Sequence, residues 1–383
     1  MTSRMLLIKN AYLFTPTPLG QKDVLLCGNR IEAIADRITI QEEFCTILDA
    51  GGKYLIPGFL DQHVHTTGGG GEGGFSTRTP EIQLYELICS GITTVVGLLG
   101  TDGSTRSMEN LYAKTMALNE EGVTSYLMTG AYCYPGPTIT GAPDKDILFC
   151  EKVLGAKLAL SDHRSSNITS KELIALGSKT RLAGMLSKKP GMIILHMGNG
   201  KKGLKPVFEA LEHSDIPVGI FRPTLIGRNK NLLEEGYTLL KMGGYIDFTC
   251  GSRKQGGPGN GIREAMNRGL DTKHITVSSD GHGSWSRYDK GGNLLQIGVS
   301  STEAMIKEFR YMVQQQNFSL EEALPFFTSN VANALDLKQK GTITPGADAD
   351  ILLLTKDLML DTVIAKGSIM MADGKVQRKG TYE

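Results

Sequence analysis

Two histidines one residue apart, in His63-Val64-His65, close an apolar stretch that reads as a strand from Leu55 to His65. Residues two apart in a strand face the same way, so both imidazoles project together, with Asp61 just below them on that face. Paired imidazoles of this kind form a two-ligand clamp for a transition metal, although such pairs also occur as ordinary packed or surface histidines. Other predicted strand ends add to them. Lys157 lies inside Val153 to Leu160, an otherwise apolar segment in which a charged ammonium is costly to bury. Either it snorkels to solvent from a strand edge, or it stays neutral, and a neutral amine can react with carbon dioxide to give an anionic carbamate that bridges metals. His196 closes Met192 to His196, and Asp280 follows Ile275 to Ser279 within Ser278-Ser279-Asp280-Gly281. A carboxylate at that place can ligate a metal and take a proton. His63, His65, Lys157, His196 and Asp280 thus fall at the first, fourth, fifth and eighth predicted strands, and together they point to a metal site for hydrolysis.

The elements that must position them alternate. Predicted strands run over Leu55 to His65, Ile92 to Leu99, Thr124 to Tyr132, Val153 to Leu160, Met192 to His196, Val218 to Leu225, Tyr245 to Cys250 and Ile275 to Ser279, with helical stretches between. Thr79-Pro80-Glu81 reads as a helix start and Gly91 as its stop. Ser319-Leu320-Glu321-Glu322 is a capping box that opens a helix through Leu324. Strand–helix units in this number fit a (β/α)8 TIM barrel, whose active sites occupy the carboxyl ends of the strands. A doubly wound sheet is the alternative, but no G-x-G-x-x-G follows a first strand. Both ends of the chain read as short strands: Met5 to Ile8, Asp23 to Leu26 and Arg30 to Ala35, then Ala349 to Leu354, Thr362 to Ala365 and Ser368 to Met371, with a hairpin turn at Asp373-Gly374. This predicts a small β-sandwich domain from residues 1–54 and 344–383, and a barrel over 55–343.

Composition narrows the function classes. At about 150 residues per domain, 383 residues leave room for a barrel and one small domain. Lys+Arg 41 against Asp+Glu 40 gives a formal charge of +1, which provides no electrostatic footprint for nucleic acid or an anionic membrane. No apolar run reaches the ~18 residues of a membrane span, and the first ten residues do not read as a signal peptide. The cysteines Cys27, Cys45, Cys89, Cys133, Cys150 and Cys250 show no C-x-x-C pair and read as thiols of a reducing cytoplasm.

The order H-x-H, mid-chain lysine, histidine and late aspartate resembles the amidohydrolase superfamily of metal-dependent hydrolases. Ile56-Pro57-Gly58-Phe59-Leu60-Asp61-Gln62 before His63, and Gly341-Thr342-Ile343-Thr344-Pro345-Gly346-Ala347-Asp348-Ala349-Asp350, look like its opening and closing segments. Within it, Gly68 to Gly71 with Glu72, Gly97 to Asp102, Thr129 to Tyr132 and Ser161-Asp162-His163-Arg164 are similar to loops of the isoaspartyl dipeptidases. The resemblance runs from about Leu55 to the C-terminus. It implies zinc, one or two ions per chain, held by His63, His65, Lys157 as a carbamate, His196 and Asp280. It further implies Asp280 as proton shuttle, Tyr132 as the phenol that polarises the scissile carbonyl, Glu72 as ammonium-binding acid, and Arg164 and Arg228 as carboxylate-binding arginines. Thr101 and Ser284 become supporting hydroxyls, the partner is a small dipeptide, and the assembly is a homo-octamer. One departure stands out. Where the family has P-T-H-x-x-R, this chain has Pro223-Thr224-Leu225-Ile226-Gly227-Arg228, so the second metal loses a ligand, which His282 could replace only by swinging in. Two other readings stay open: a one-metal hydrolase of another small amide, such as an N-acyl amino acid or a cyclic amide, and a catalytically silent interaction protein. Trp285 and the Met-rich helices read as packing, and Lys188-Lys189 and Lys201-Lys202 as solvated surface.

Overall fold

Apolar strands long enough to be covered on both faces, alternating with helices, assemble as a parallel α/β barrel. The computed structural model describes residues 5–251 and 257–383. Its barrel strands are β1 (Phe59–Val64), β2 (Ile92–Gly97), β3 (Thr124–Gly130), β4 (Val153–Leu160), β5 (Met192–Met197), β6 (Phe221–Thr224), β7 (Ile246–Thr249) and β8 (Ile275–Ser278). β1 to β6 make one continuous parallel sheet, and β7 pairs with β8 in a separate parallel ladder. Just beyond β8 the chain returns to β1: His65 N donates to Gly281 O at 2.8 Å and Val64 bridges Gly281. The ladder is therefore interrupted at two seams, β6/β7 and β8/β1. β1, β2, β4 and β5 are buried along their whole length, as strands sheathed by helices should be.

The stretch Leu55 to His65, predicted as one strand, is two. Tyr54–Pro57 pairs antiparallel with Ile351–Leu354, and Phe59–Val64 enters the barrel. Gly58 lies between them, pressed against β2, where a Cβ would come within 2.2 Å of Thr93 Oγ1. A side chain at that point would force the two sheets apart. Tyr54–Pro57 and Ile351–Leu354 belong to a nine-stranded sheet built from both ends of the chain. Strand alternation divides its side chains between two cores. Leu55 and Leu353 pack with Leu6, Leu13, Val24 and Ile364, while Ile56, Leu352 and Leu354 join the main core of the barrel. Asp373 and Gly374, at φ 50° and 68°, make the predicted turn in this sheet.

Two helix boundaries show what sequence signals can and cannot carry. The Ser319 capping box forms as expected, with Glu322 reaching back to the Ser319 N–H at 2.9 Å. The helix expected from Thr79 begins instead at Leu84, capped by a box of Gln83 and Glu86, and ends before Gly91 at φ 72°. Thr79 is engaged elsewhere: its hydroxyl donates to His282 O at 2.7 Å and accepts from Gly69 N at 2.6 Å. Residues Val218–Ile220, expected to open the sixth strand, form a 3-10 turn, and β6 starts at Phe221. An antiparallel hairpin not expected from the sequence, β9 (Ser284–Tyr288) and β10 (Leu294–Val299), follows β8. Among the described residues no helix is long and apolar enough to cross a membrane.

Candidate active site

At the carboxyl end of β1, His63 and His65 turn into the barrel and are almost fully buried. Asp280 follows β8 in the left-handed region, φ 54°, a conformation that Asp tolerates better than most residues. Its Oδ1 lies 3.3 Å from His63 Nε2 and 3.2 Å from His65 Nε2. Lys157 reaches in from β4 and places Nζ 3.1 Å from His63 Nε2. The structure thus brings His63, His65, Lys157 and Asp280 to one point.

Burial sets the protonation states there. It lowers the Lys157 ammonium to about 7 against the opposing pull of Asp280 and Asp247. Burial and the neighbouring Lys157 push His63 well below the ordinary imidazole value, so its ring is neutral. Burial alone would raise Asp280, but the His63 and His65 rings and the Lys157 amine gathered against it outweigh burial and hold it well below the usual carboxylate range. One ligand atom from each of His63, His65 and Asp280 falls within 4.8 Å of the others. Two imidazoles and one carboxylate, with their donor atoms convergent and buried, fit a divalent cation of the zinc type.

His196, at the end of β5, stands apart from that trio. Its ring lies 6.3 Å from that of His63 and 4.4 Å from that of Tyr132, whose hydroxyl is 2.7 Å from His196 Nδ1. Burial raises the Tyr132 phenol well above its ordinary value, so it keeps its proton at neutral pH. Arg228 NH2 reaches within 3.5 Å of His196 Nε2. Leu225 occupies the left-handed region at φ 62° and lines a cavity with Arg228 and Phe248, offering no ligand atom. His282 does not turn toward the site. Its Nδ1 is 2.9 Å from Pro80 O and its Nε2 2.9 Å from Glu86 Oε1, so it replaces no ligand and instead braces a loop.

The predicted charged pocket assembles beside this cluster. Glu72 Oε1 accepts from Arg164 NH1 at 2.8 Å and from Thr101 Oγ1 at 3.1 Å, and Ser284 Oγ donates to both carboxylate oxygens. Ser284 comes from the hairpin, whose Tyr288 packs edge-on against His163, 4.7 Å between rings. The hairpin therefore roofs one side of the mouth. Trp285, read as packing, is half-exposed there.

Several functional-looking residues escaped the sequence reading. Asp162 binds Arg164 bidentately, at 2.9 and 2.8 Å, and lies 3.7 Å from His196 Nε2. Burial would raise its carboxyl, but Arg164 and His196 hold it well below the usual range. Arg106 is buried and donates to the carbonyls of Thr67, Gly69 and Thr79. It clasps the glycine loop that carries Glu72. Gly68 in that loop sits at φ +81°, where a Cβ would be 2.2 Å from Thr79 O. Only the Ser161-Asp162-His163-Arg164 motif hinted at Asp162, and nothing local marked Arg106.

An α/β barrel with an H-x-H pair after its first strand, a buried lysine on its fourth and an aspartate after its eighth has the architecture of amidohydrolases, and residues 247–370 match the Amidohydrolase family model. Fold and sequence agree closely with a β-aspartyl dipeptidase from Fervidobacterium islandicum AW-1 solved with a β-Asp-Leu dipeptide, at 39% identity over 98% of each chain and a TM-score of 0.95. A dihydroorotase from Elusimicrobium minutum is 25% identical over 95% of this chain and 90% of its own. A D-hydantoinase shares the fold, with a TM-score of 0.69 at 17% identity. The chain belongs to the amidohydrolase superfamily and, within it, to the β-aspartyl (isoaspartyl) dipeptidase family.

Proposed function

We propose that this chain hydrolyses the β-amide of isoaspartyl dipeptides, with zinc as its metal, and releases aspartate and a second amino acid. The observation that carries the reading is the side-by-side placement of Glu72 and Arg164, 2.8 Å apart, next to the metal-fitting cluster. A β-linked aspartyl residue keeps a free ammonium and a free carboxylate on one carbon, whereas in the α-isomer that carboxylate is the amide. An acid beside an arginine matches those two charges, with Thr101 and Ser284 supplying hydrogen bonds. In this reading Arg228 takes the carboxylate of the departing residue.

The chemistry follows from the protonation states. Tyr132, holding its proton, donates to the carbonyl oxygen as charge builds there. Asp280, ionised, accepts a proton from the attacking water and passes it to the leaving amine. His63, His65, Asp280 and a carbamate on Lys157 would hold a first zinc. The low basicity of Lys157 supports that modification, because only a neutral amine reacts with carbon dioxide. His196 and the same carbamate would hold a second, weaker ion, since Leu225 adds nothing. When bound, the metal supplies Lewis-acid polarisation of the carbonyl and lowers the pKa of water. In the same reading, the strands from both ends of the chain, Tyr54–Pro57 included, form a small β-sandwich domain beside a barrel that begins at Phe59. The chain works in the cytoplasm as a homo-octamer, as the family resemblance implies.

Hydrolysis of β-Asp-Leu and α-Asp-Leu, measured side by side with zinc present, tests the proposal. Each misplaced charge in such a pocket costs on the order of 2–5 kcal/mol, so the β-isomer alone should turn over. Equal rates on the two isomers, or turnover of neither, would reject the assignment.

A further inference from the structure

Asp247, on β7, is a buried carboxylate with no part in the chemistry above. Donors fill both of its oxygens. Oδ1 accepts from Gln62 Nε2 at 2.8 Å and Thr276 Oγ1 at 2.7 Å, and Oδ2 accepts from Thr224 Oγ1 at 2.6 Å and Ser278 Oγ at 2.6 Å. Those donors stand on β1, β8 and β6, so one side chain spans both seams of the barrel. Thr224 has a single hydroxyl proton, and it is committed to a carboxylate, which accepts only. The remaining lone pairs of Thr224 Oγ1 face His63 Nδ1 at 3.3 Å. His63 must therefore carry its proton on Nδ1. Its Nε2 is left bare, and that is the nitrogen that faces Lys157 Nζ at 3.1 Å and Asp280 Oδ1 at 3.3 Å.

We propose that Asp247, acting through the Thr224 hydroxyl, is the positioning residue that sets the tautomer and ring orientation of His63 for metal binding. The inference rests on the metal reading given above. Outer hydrogen-bond partners of ligating imidazoles typically change metal affinity about 10–100-fold.

The test compares wild type with Thr224→Val, which keeps the shape and removes the hydroxyl, and Thr224→Ser, which restores it. Zinc affinity is measured by chelator competition, and the His63 tautomer by ring-nitrogen NMR of the metal-free protein. Expected results are an Nδ1–H tautomer in wild type, its loss in Thr224→Val with zinc binding about 10–100-fold weaker, and recovery of both in Thr224→Ser. An Nε2–H tautomer in metal-free wild type, or a folded Thr224→Val that keeps both wild-type tautomer and zinc affinity, would overturn the proposal. A wild-type protein that binds no zinc would instead reject the metal reading, and the NMR arm would still judge the relay.

Discussion

At the residue scale, Asp280 does two things that pull against each other. It holds an exposed-type backbone, φ 54°, in a buried place, and it keeps a charge where burial opposes one. The charge persists because the His63 and His65 rings and the Lys157 amine lie against the carboxylate. Asp280→Asn keeps the shape and removes the proton acceptor, so kcat should fall at least about 10²-fold, with zinc measured on the same sample to separate a lost base from a lost metal. Leu225 makes a different prediction. Its left-handed backbone is one in which histidine is several-fold commoner than leucine, so Leu225→His should be accommodated and raise zinc content after dialysis from one toward two ions per chain. Two firmly held ions in the unaltered protein would refute that. Residues such as His63, His65 and Asp280 were legible in the sequence because a strand's alternation and its end declare which way they point. Asp247 was not, because its partner Gln62 lies 185 residues away and neither residue carries a local signal.

At the scale of elements, the glycine loop before Glu72 shows why local rules failed at Thr79. Thr-Pro-Glu is a sound helix start in isolation, but the Thr79 hydroxyl and carbonyl serve the loop, through Gly69, His282 and Arg106. The helix then starts later, at a cap that reads less strongly in sequence. Gly58 is a similar case: an unbroken apolar run concealed a change of sheet that only the contact with Thr93 reveals. The clasp itself can be tested. Arg106→Met removes the guanidinium donors to the carbonyls of Thr67, Gly69 and Thr79, leaving Gly69 O only its bond from Thr79 N, and frees the loop that presents Glu72. We expect kcat/KM for the β-dipeptide to fall about tenfold, equivalent to ~1.4 kcal/mol, with zinc content unchanged. An unaltered kcat/KM would show that the loop holds its shape without the arginine.

For the molecule as a whole, the barrel was legible because eight apolar segments recur with helices between them, and the terminal sheet because both ends carry short strands and turns. How the two parts are joined was not. Buried Lys340 links them, donating to Thr124 Oγ1 at 2.7 Å on β3 and pairing with Asp348 at 2.8 Å and with Asp350. Burial lowers its ammonium, but the charges of Asp350 and Asp348 more than reverse this and raise it. A base raised on folding stabilises the protein below its unfolded value, about 10.4, and loses that contribution as pH climbs through the folded value. Lys340→Met leaves buried Asp350 without its ammonium and Asp348 with Arg30 alone, and should cost about 3–5 kcal/mol, read as a lower melting temperature at pH 7. The gap between variant and wild type should then narrow above about pH 10.4. A constant gap across pH would place the stabilisation in packing rather than in the charge.

The two seams have a consequence for motion. Six strands share an unbroken backbone ladder, whereas β7 and β8 are tied to their neighbours on either side by side chains and by the turn after β8. Side-chain ties can open one at a time, while a ladder opens only cooperatively. In hydrogen–deuterium exchange, peptides over β7 and β8 should therefore exchange sooner than those over β4 and β5. Asp280 follows β8, while His63, His65 and Lys157 come from β1 and β4 of the six-stranded arc, so zinc should tie the β7–β8 pair to that arc and slow exchange most over β7 and β8, making the barrel stiffen chiefly from its looser side when it is loaded.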